Sequence, residues 1–137
     1  MHEFTIGEKA LPDGELDDLV GALMGAIEKA GRRAIVVAAA DLAHIGAQFG
    51  DTFSCDAFAL QGSKRQDEAL LACIENGDAN GFVGSIAAEA DRRRICGLTP
   101  IYLQLRLLEG SRCTMTAYDQ WTDGASSVSF AGAVFYS

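Results

Sequence analysis

The stretch Ala34–His44 constrains the fold of this 137-residue chain more than any other part of it. Every residue of Ala34–Ala40 is apolar and small or β-branched, and the run ends on Asp41, with His44 three positions later. A buried strand that presents polar groups at its carboxyl end is typical of α/β enzymes. The stretch predicts a core strand, Ala34–Ala40, followed by a candidate site. The alternative is a core strand with a helix-capping Asp41 and a surface His44.

The remaining patterns predict an α/β domain. Apolar residues at helical spacing and residues that alternate in polarity define the other elements, and Asp13 is a candidate cap for the first helix. The predicted helices are 15–30, 63–76, 79–94 and 100–109, residues 51–62 form a loop, and the strands 112–121 and 126–136 form a hairpin. A chain of this length is one domain, 1–137. We expect helices packed on a mixed, mostly buried β-sheet, with a C-terminal antiparallel hairpin.

Charge and composition restrict the classes of partner that we expect. The net charge of −8 argues against binding to a nucleic-acid backbone, because phosphates would be repelled. No apolar run approaches the roughly 20 residues that a membrane span requires. Residues 1–10 lack the apolar segment of a signal peptide. We therefore expect a cytoplasmic protein with neither nucleic acid nor membrane as partner.

The four cysteines do not have the ligand spacing of a zinc finger, and we expect them to be reduced thiols. Cys55, Cys73 and Cys113 are expected to be small core residues. Cys96 precedes a predicted helix and follows Arg92–Arg94, and both features would lower a thiol pKa and favour the reactive thiolate. A buried structural role is the alternative for Cys96. The arginine run itself is best interpreted as the solvated end of a helix.

Asp41 and His44 form the second candidate group. If a helical turn begins after the strand, their side chains project from one face. A carboxylate near an imidazole orients its tautomer and raises its basicity, which suits a general base.

Three separated segments resemble the Memo family, also called AmmeMemoRadiSam system protein B. The stretch Val36–His44 resembles the family's strand-end motif with its Asp-Leu-x-His core. The stretch Arg93–Ile101 is similar to the Cys-Gly-x-x-Pro segment, and Ser127–Phe135 is similar to the final strand. Order and spacing agree over roughly residues 30–136.

The resemblance implies a fold related to the class III extradiol (non-haem iron) dioxygenases. It implies that Cys96 is a metal-binding thiolate, with iron or copper as the ion. Asp41 and His44 would line the same pocket, and His44 would act as acid and base towards a bound phenol if the chemistry is shared. These are the catalytic and metal-binding residues that we expect.

The chain also departs from the family. The family's N-terminal half, with two histidine ligands, has no counterpart, and Ala40 and Ala43 replace serines. One thiolate and one imidazole are too few for a metal site. We expect no tightly bound metal in this chain alone, and dioxygenase-like oxidoreductase activity only if a missing N-terminal half completes the site. As partner we expect a second copy in a homodimer, or the complementary N-terminal half. The alternatives are a non-catalytic module that binds a peptide or small anion, and a degenerate fragment.

Overall fold

The computed structural model describes residues 14–136, which form four α-helices, three β-strands and one 3₁₀ turn. In chain order they are α1 (Glu15–Ala30), β1 (His44–Gly46), the 3₁₀ turn (Ala47–Phe49), α2 (Ala57–Glu75), α3 (Ala79–Ala88), α4 (Leu98–Leu107), β2 (Arg112–Thr122) and β3 (Ser126–Tyr136). The predicted cap Asp13 lies outside the described residues, as does the rest of segment 1–13 of the predicted domain. Among the described residues, no helix has both the length and the apolar character needed to cross a bilayer.

The three strands form one antiparallel sheet in the order β1-β3-β2. The α/β class and the C-terminal hairpin are confirmed, and the hairpin register runs from Arg112 opposite Tyr136 to Thr122 opposite Ser127. The expected mixed sheet is purely antiparallel in the described part of the chain, because Ala34–Ala40 does not join it. Exposed side chains alternate along much of β2, so one face of the hairpin is open to solvent.

The helices follow local signals, although α2, α3 and α4 differ from their predicted bounds. Helix α1 has the predicted bounds and ends on Gly31, whose φ of 61° is the left-handed conformation common at helix ends. Helix α2 begins earlier than predicted because the Asp56 side chain accepts a hydrogen bond from the Ala59 amide, at 2.8 Å. The long loop predicted for 51–62 therefore ends at Asp56.

Helices α2, α3 and α4 enclose the core. The buried cluster consists of Ala43, Leu70, Ile74, Ala79, Phe82, Ile86, Ile95, Leu98, Tyr102 and Leu105. Burying an aromatic or branched aliphatic side chain of this kind contributes roughly 1.5–3 kcal/mol. Because Ala43 and Ile95 belong to the cluster, the two candidate motifs are anchored in the same core.

The prediction of a core strand at Ala34–Ala40 is wrong. Ile35 is 90% exposed and Val37 is 73% exposed. Backbone hydrogen bonding to β3 begins at Leu42, whose amide donates to the Ser129 carbonyl at 2.8 Å. The apolar composition of the segment favours an extended backbone, but before Leu42 the segment diverges from β3, and the two line a cavity of about 400 Å³ instead of pairing.

Candidate functional site

Backbone hydrogen bonds join the two candidate motifs. The Gly97 amide donates to the Asp41 carbonyl at 2.8 Å, and the Cys96 amide donates to the Leu42 carbonyl at 3.2 Å. The His44 amide donates to the Arg93 carbonyl at 2.7 Å. The segments 41–44 and 93–97 therefore lie side by side in antiparallel directions, although about fifty positions separate them in the sequence.

This close approach requires a glycine at position 97. A Cβ atom there would lie 2.7 Å from the Asp41 carbonyl oxygen and 2.4 Å from the Ile101 side chain. The glycine of the Cys-Gly pair thus allows the second motif to pack against the first.

The Asp41 and His44 side chains lie close together, as predicted. Their Oδ2 and Nε2 atoms are 3.9 Å apart, which is an ion-pair distance when the imidazole is protonated. The His44 Nδ1 atom lies 3.2 Å from the Leu42 carbonyl oxygen. In the neutral ring this contact assigns the proton to Nδ1, so that Nε2 is left as a proton acceptor. The Asp41 side chain is 52% exposed and the His44 side chain 19% exposed, so both can be reached by a solute.

Buried serines of β3 hold the backbone on both sides of the β1 strand. The Ser129 hydroxyl accepts a hydrogen bond from the Ala43 amide at 2.9 Å, and the Ser126 hydroxyl accepts one from the Gln48 amide at 2.9 Å. Both serines are almost completely buried. Sequence reasoning missed their role, although polar residues at the start of an otherwise apolar strand were a usable signal.

Cys96 is exposed, so the structural alternative of a buried cysteine is wrong for it. It opens onto a cleft of about 360 Å³, which is lined by Asp91, Arg94, Ile95, Cys96, Leu98 and Thr99. Cys55 is buried, and its burial raises the pKa of its thiol. Cys73 and Cys113 pack at the margin of the core.

The donor groups of the described residues do not fit a metal ion. Within residues 14–136, no three His, Cys, Asp or Glu side chains are grouped so that they could hold one. Cys96 offers a thiol and His44 an imidazole, but a typical protein metal centre uses three or four protein ligands. Any metal centre would therefore need further ligands.

The turn between α3 and α4 has a strained backbone. Ala90, Asp91 and Arg94 have positive φ angles of 51°, 46° and 53°. Each non-glycine residue in this conformation costs about 1–2 kcal/mol, so contacts with the rest of the fold must stabilise the turn. The helix predicted for 79–94 ends at Ala88 for this reason, and no glycine marks the break.

Arg94 holds the end of β1. Its guanidinium contacts the Asp51 carboxylate at 2.8 and 3.2 Å and donates to the His44 carbonyl at 3.1 Å. Asp51 also accepts a hydrogen bond from the Gly46 amide at 2.8 Å. The Arg94 hydrogen bonds keep the pKa of Asp51 below its ordinary value of 3.8.

Arg93 is buried in a polar cluster that the sequence analysis missed. It contacts the carboxylates of Asp67 and Glu89, and the Tyr118 hydroxyl donates to Asp67 Oδ2 at 2.8 Å. Burial, followed by the negative charge of Asp67, raises the pKa of Tyr118 well above its ordinary value of 10. The prediction of a solvated arginine run is wrong at Arg93 and Arg94. The available signal was Asp67 itself, an acid on the apolar face of α2 that also carries Leu70.

Comparison with known proteins identifies the family of this chain. The family model for the Memo-like protein matches residues 10–134. No curated protein matches the chain. The matched region contains both candidate motifs and the C-terminal hairpin. The chain belongs to the Memo-like protein family.

Proposed function

We propose that this chain forms one wall of a dioxygenase-like pocket, with Asp41, His44 and Cys96 as its functional residues. The pocket is not formed within the described residues of this chain, because neither Asp41 nor His44 lines the cleft at Cys96. The proposal depends on one observation: three backbone hydrogen bonds fix segment 41–44 against segment 93–97. The resemblance of three segments to the Memo family supports the further proposal that the protein acts in the AmmeMemoRadiSam system.

The chemistry proposed for His44 is proton exchange with a hydroxyl group of a small ligand. Its Nε2 atom accepts the proton, and the Asp41 carboxylate at 3.9 Å stabilises the imidazolium that results. Cys96 is the metal ligand that we propose, with iron or copper as the ion, if a second polypeptide supplies the missing histidines. No proton step at His44 depends on that metal.

Binding of catechol, a simple phenol, tests the pocket. In two-dimensional NMR of the uniformly labelled full chain, catechol should shift the amide signals of segments 41–44 and 93–97 in a saturable way. The variant His44→Ala should bind at least tenfold more weakly, a loss of about 1.4 kcal/mol. Phe58→Ala is the control, because Phe58 is an exposed side chain of α2 and should not change the affinity. Unchanged affinity in His44→Ala, or shifts confined to other segments, would refute the proposed role.

A non-catalytic binding module is the second candidate. The observation that favours it is the lack, within residues 14–136, of three grouped metal-ligating side chains. This candidate predicts that catechol or a small anion binds, but that addition of iron and of a complementary N-terminal half causes no oxygen uptake. Oxygen uptake that is lost in Cys96→Ser would support the dioxygenase-like pocket instead.

A further inference from the structure

The segment Ala34–Ala40 has the surface pattern of a strand without a partner strand. Its side chains alternate: Ile35, Val37 and Ala39 are exposed, whereas the residues between them are half-buried. This period of two is that of an extended chain lying against the protein body. In the described part of the chain, no backbone group of this segment bonds to another backbone group.

Within residues 14–136, one lateral side of the segment is free for pairing. The only hydrogen bond to Ala34–Ala40 among the described residues comes from the Gln104 side chain, which donates to the Val36 carbonyl at 3.2 Å. In an extended chain, the backbone groups of alternate residues point to the same side. Gln104 therefore approaches the side of Val36, and the N–H and C=O groups of Ile35, Val37 and Ala39 point to the other side.

The charges that flank the segment indicate which strand would fit. Arg33 lies four positions before Val37, and Asp41 lies four positions after it. Arg33 is exposed and forms no ion pair with any described residue. Asp41 is half-exposed, and the ring of His44 is its neighbour. An antiparallel copy of the same segment, centred on Val37, would pair residues 34–40 and bring each Arg33 side chain, one position beyond the ladder, near an Asp41 side chain. The Asp41 carbonyl takes no part in the pairing, because it accepts the hydrogen bond from the Gly97 amide.

We propose that two copies of this chain form a dimer by antiparallel pairing of Ala34–Ala40 about Val37. Val37 then faces the partner's Val37, and Ile35 faces the partner's Ala39. The pairing satisfies the free backbone groups and covers part of two exposed apolar side chains. It also brings the partner's Arg33 to Asp41, so that the second copy adds a cation beside His44.

This charge arrangement distinguishes a second copy from other occupants. A parallel pair in the same register would place Arg33 opposite Arg33, which is unfavourable. An unrelated strand, including one from a complementary half, would need no charges at equal distances from Val37. Self-pairing in the antiparallel direction uses both charges.

Charge reversal tests the register directly. In sedimentation equilibrium of the full chain, the wild type should be a dimer, and Arg33→Asp and Asp41→Arg should each weaken dimerisation at least tenfold. The double variant Arg33→Asp/Asp41→Arg should restore the wild-type affinity, because opposite charges again face each other. Failure of the double variant to restore dimerisation would overturn this register.

Substitution at the centre provides a second test. Val37→Lys places two like charges opposite each other and should give a monomer, whereas Phe58→Lys, at an exposed apolar residue of α2, should remain a dimer. Circular dichroism of each variant checks that it is folded. Three results would each overturn the proposal: a wild-type chain that is monomeric at the highest protein concentration measured, a dimer that persists in Val37→Lys, or association only with a complementary half. Because none of these measurements depends on catechol binding, the dimer can fail while the pocket proposal stands.

Discussion

Two consecutive arginines in one strained turn have opposite environments. The Arg93 side chain is 5% exposed and meets Asp67 and Glu89, whereas the Arg94 side chain is 37% exposed and meets Asp51. Breaking a buried ion pair leaves an uncompensated charge and is costly, while a partly exposed pair contributes little. The turn is thus fixed to the body of the protein by Arg93, and the end of β1 is held to the turn by Arg94.

The contacts of Arg93 stabilise the fold, whereas those of Arg94 lie within the candidate site. The Arg93 cluster joins the turn to α2 through Asp67 and to β2 through Tyr118. The Arg94 pair contacts the Asp51 carboxylate and the carbonyl of His44, within the candidate site. Changes at the first cluster should therefore lower global stability, and changes at the second should have small effects on stability.

The largest effect is expected from Asp67→Ala. Loss of this carboxylate leaves Arg93 buried with only Glu89 as a charged partner, which should lower the free energy of unfolding by about 3–5 kcal/mol. Asp51→Ala, at the partly exposed pair, should lower it by about 1 kcal/mol. Urea unfolding followed by circular dichroism measures both. Equal losses in the two variants would contradict the distinction between the two arginines.

Tyr118→Phe should have the next largest effect. It removes the hydroxyl that donates to Asp67, and hydrogen bonds to charged groups contribute about 1.5–3 kcal/mol. Because folding raises the pKa of Tyr118, the protonated hydroxyl stabilises the fold below pH 10. That contribution is lost as the pH rises above 10 towards the folded pKa.

The alkaline comparison isolates this contribution. Urea midpoints measured between pH 8 and pH 11 should fall more steeply for the wild type than for Tyr118→Phe. Tyr136→Phe is the matched control, because Tyr136 is an exposed tyrosine of β3, and it should follow the wild type. Parallel curves for all three proteins would exclude Tyr118 as the group responsible.

Local sequence patterns predicted the elements whose cause is local. Helix α1 and the β2–β3 hairpin follow from helical spacing and from alternation, and their bounds agree with the structure to within one residue. The segment Ala34–Ala40 has an equally clear local pattern, yet it is not a strand in the described structure. Pairing depends on a neighbouring edge, and no local pattern contains that information.

The candidate site was predictable where its residues are close in sequence or share a family motif. The proximity of Asp41 and His44 was predicted from a helical turn, but the structure has none at residues 41–44, and the two side chains meet where the chain enters β1. The resemblance predicted that Cys96 belongs to the same region. The partners of Arg93 and Arg94 could not be predicted from the arginine run. Their carboxylates, Asp67 and Asp51, come from distant segments that the strained turn brings within reach.

The smallest effect concerns Asp51 in acid. Its pKa is lowered chiefly by the hydrogen bond from Arg94, so ionised Asp51 stabilises the fold above its ordinary pKa of 3.8. This contribution decreases as the pH falls through the lower folded pKa. The difference in unfolding free energy between wild type and Asp51→Asn should be about 1 kcal/mol or less at pH 6 and should vanish near pH 2.

Arg94 should be the source of that difference. In an Arg94→Gln background, Asp51→Asn should change the stability at pH 6 by a smaller amount, because the guanidinium that lowers the pKa is absent. The measurement is urea unfolding, at pH 6 and pH 2, of the wild type, Asp51→Asn, Arg94→Gln and the double variant, which together form a double-mutant cycle. If the effect of Asp51→Asn were the same in both backgrounds, the Gly46 amide, which also donates to Asp51, would be the dominant partner, and Arg94 would be dispensable for holding the end of β1.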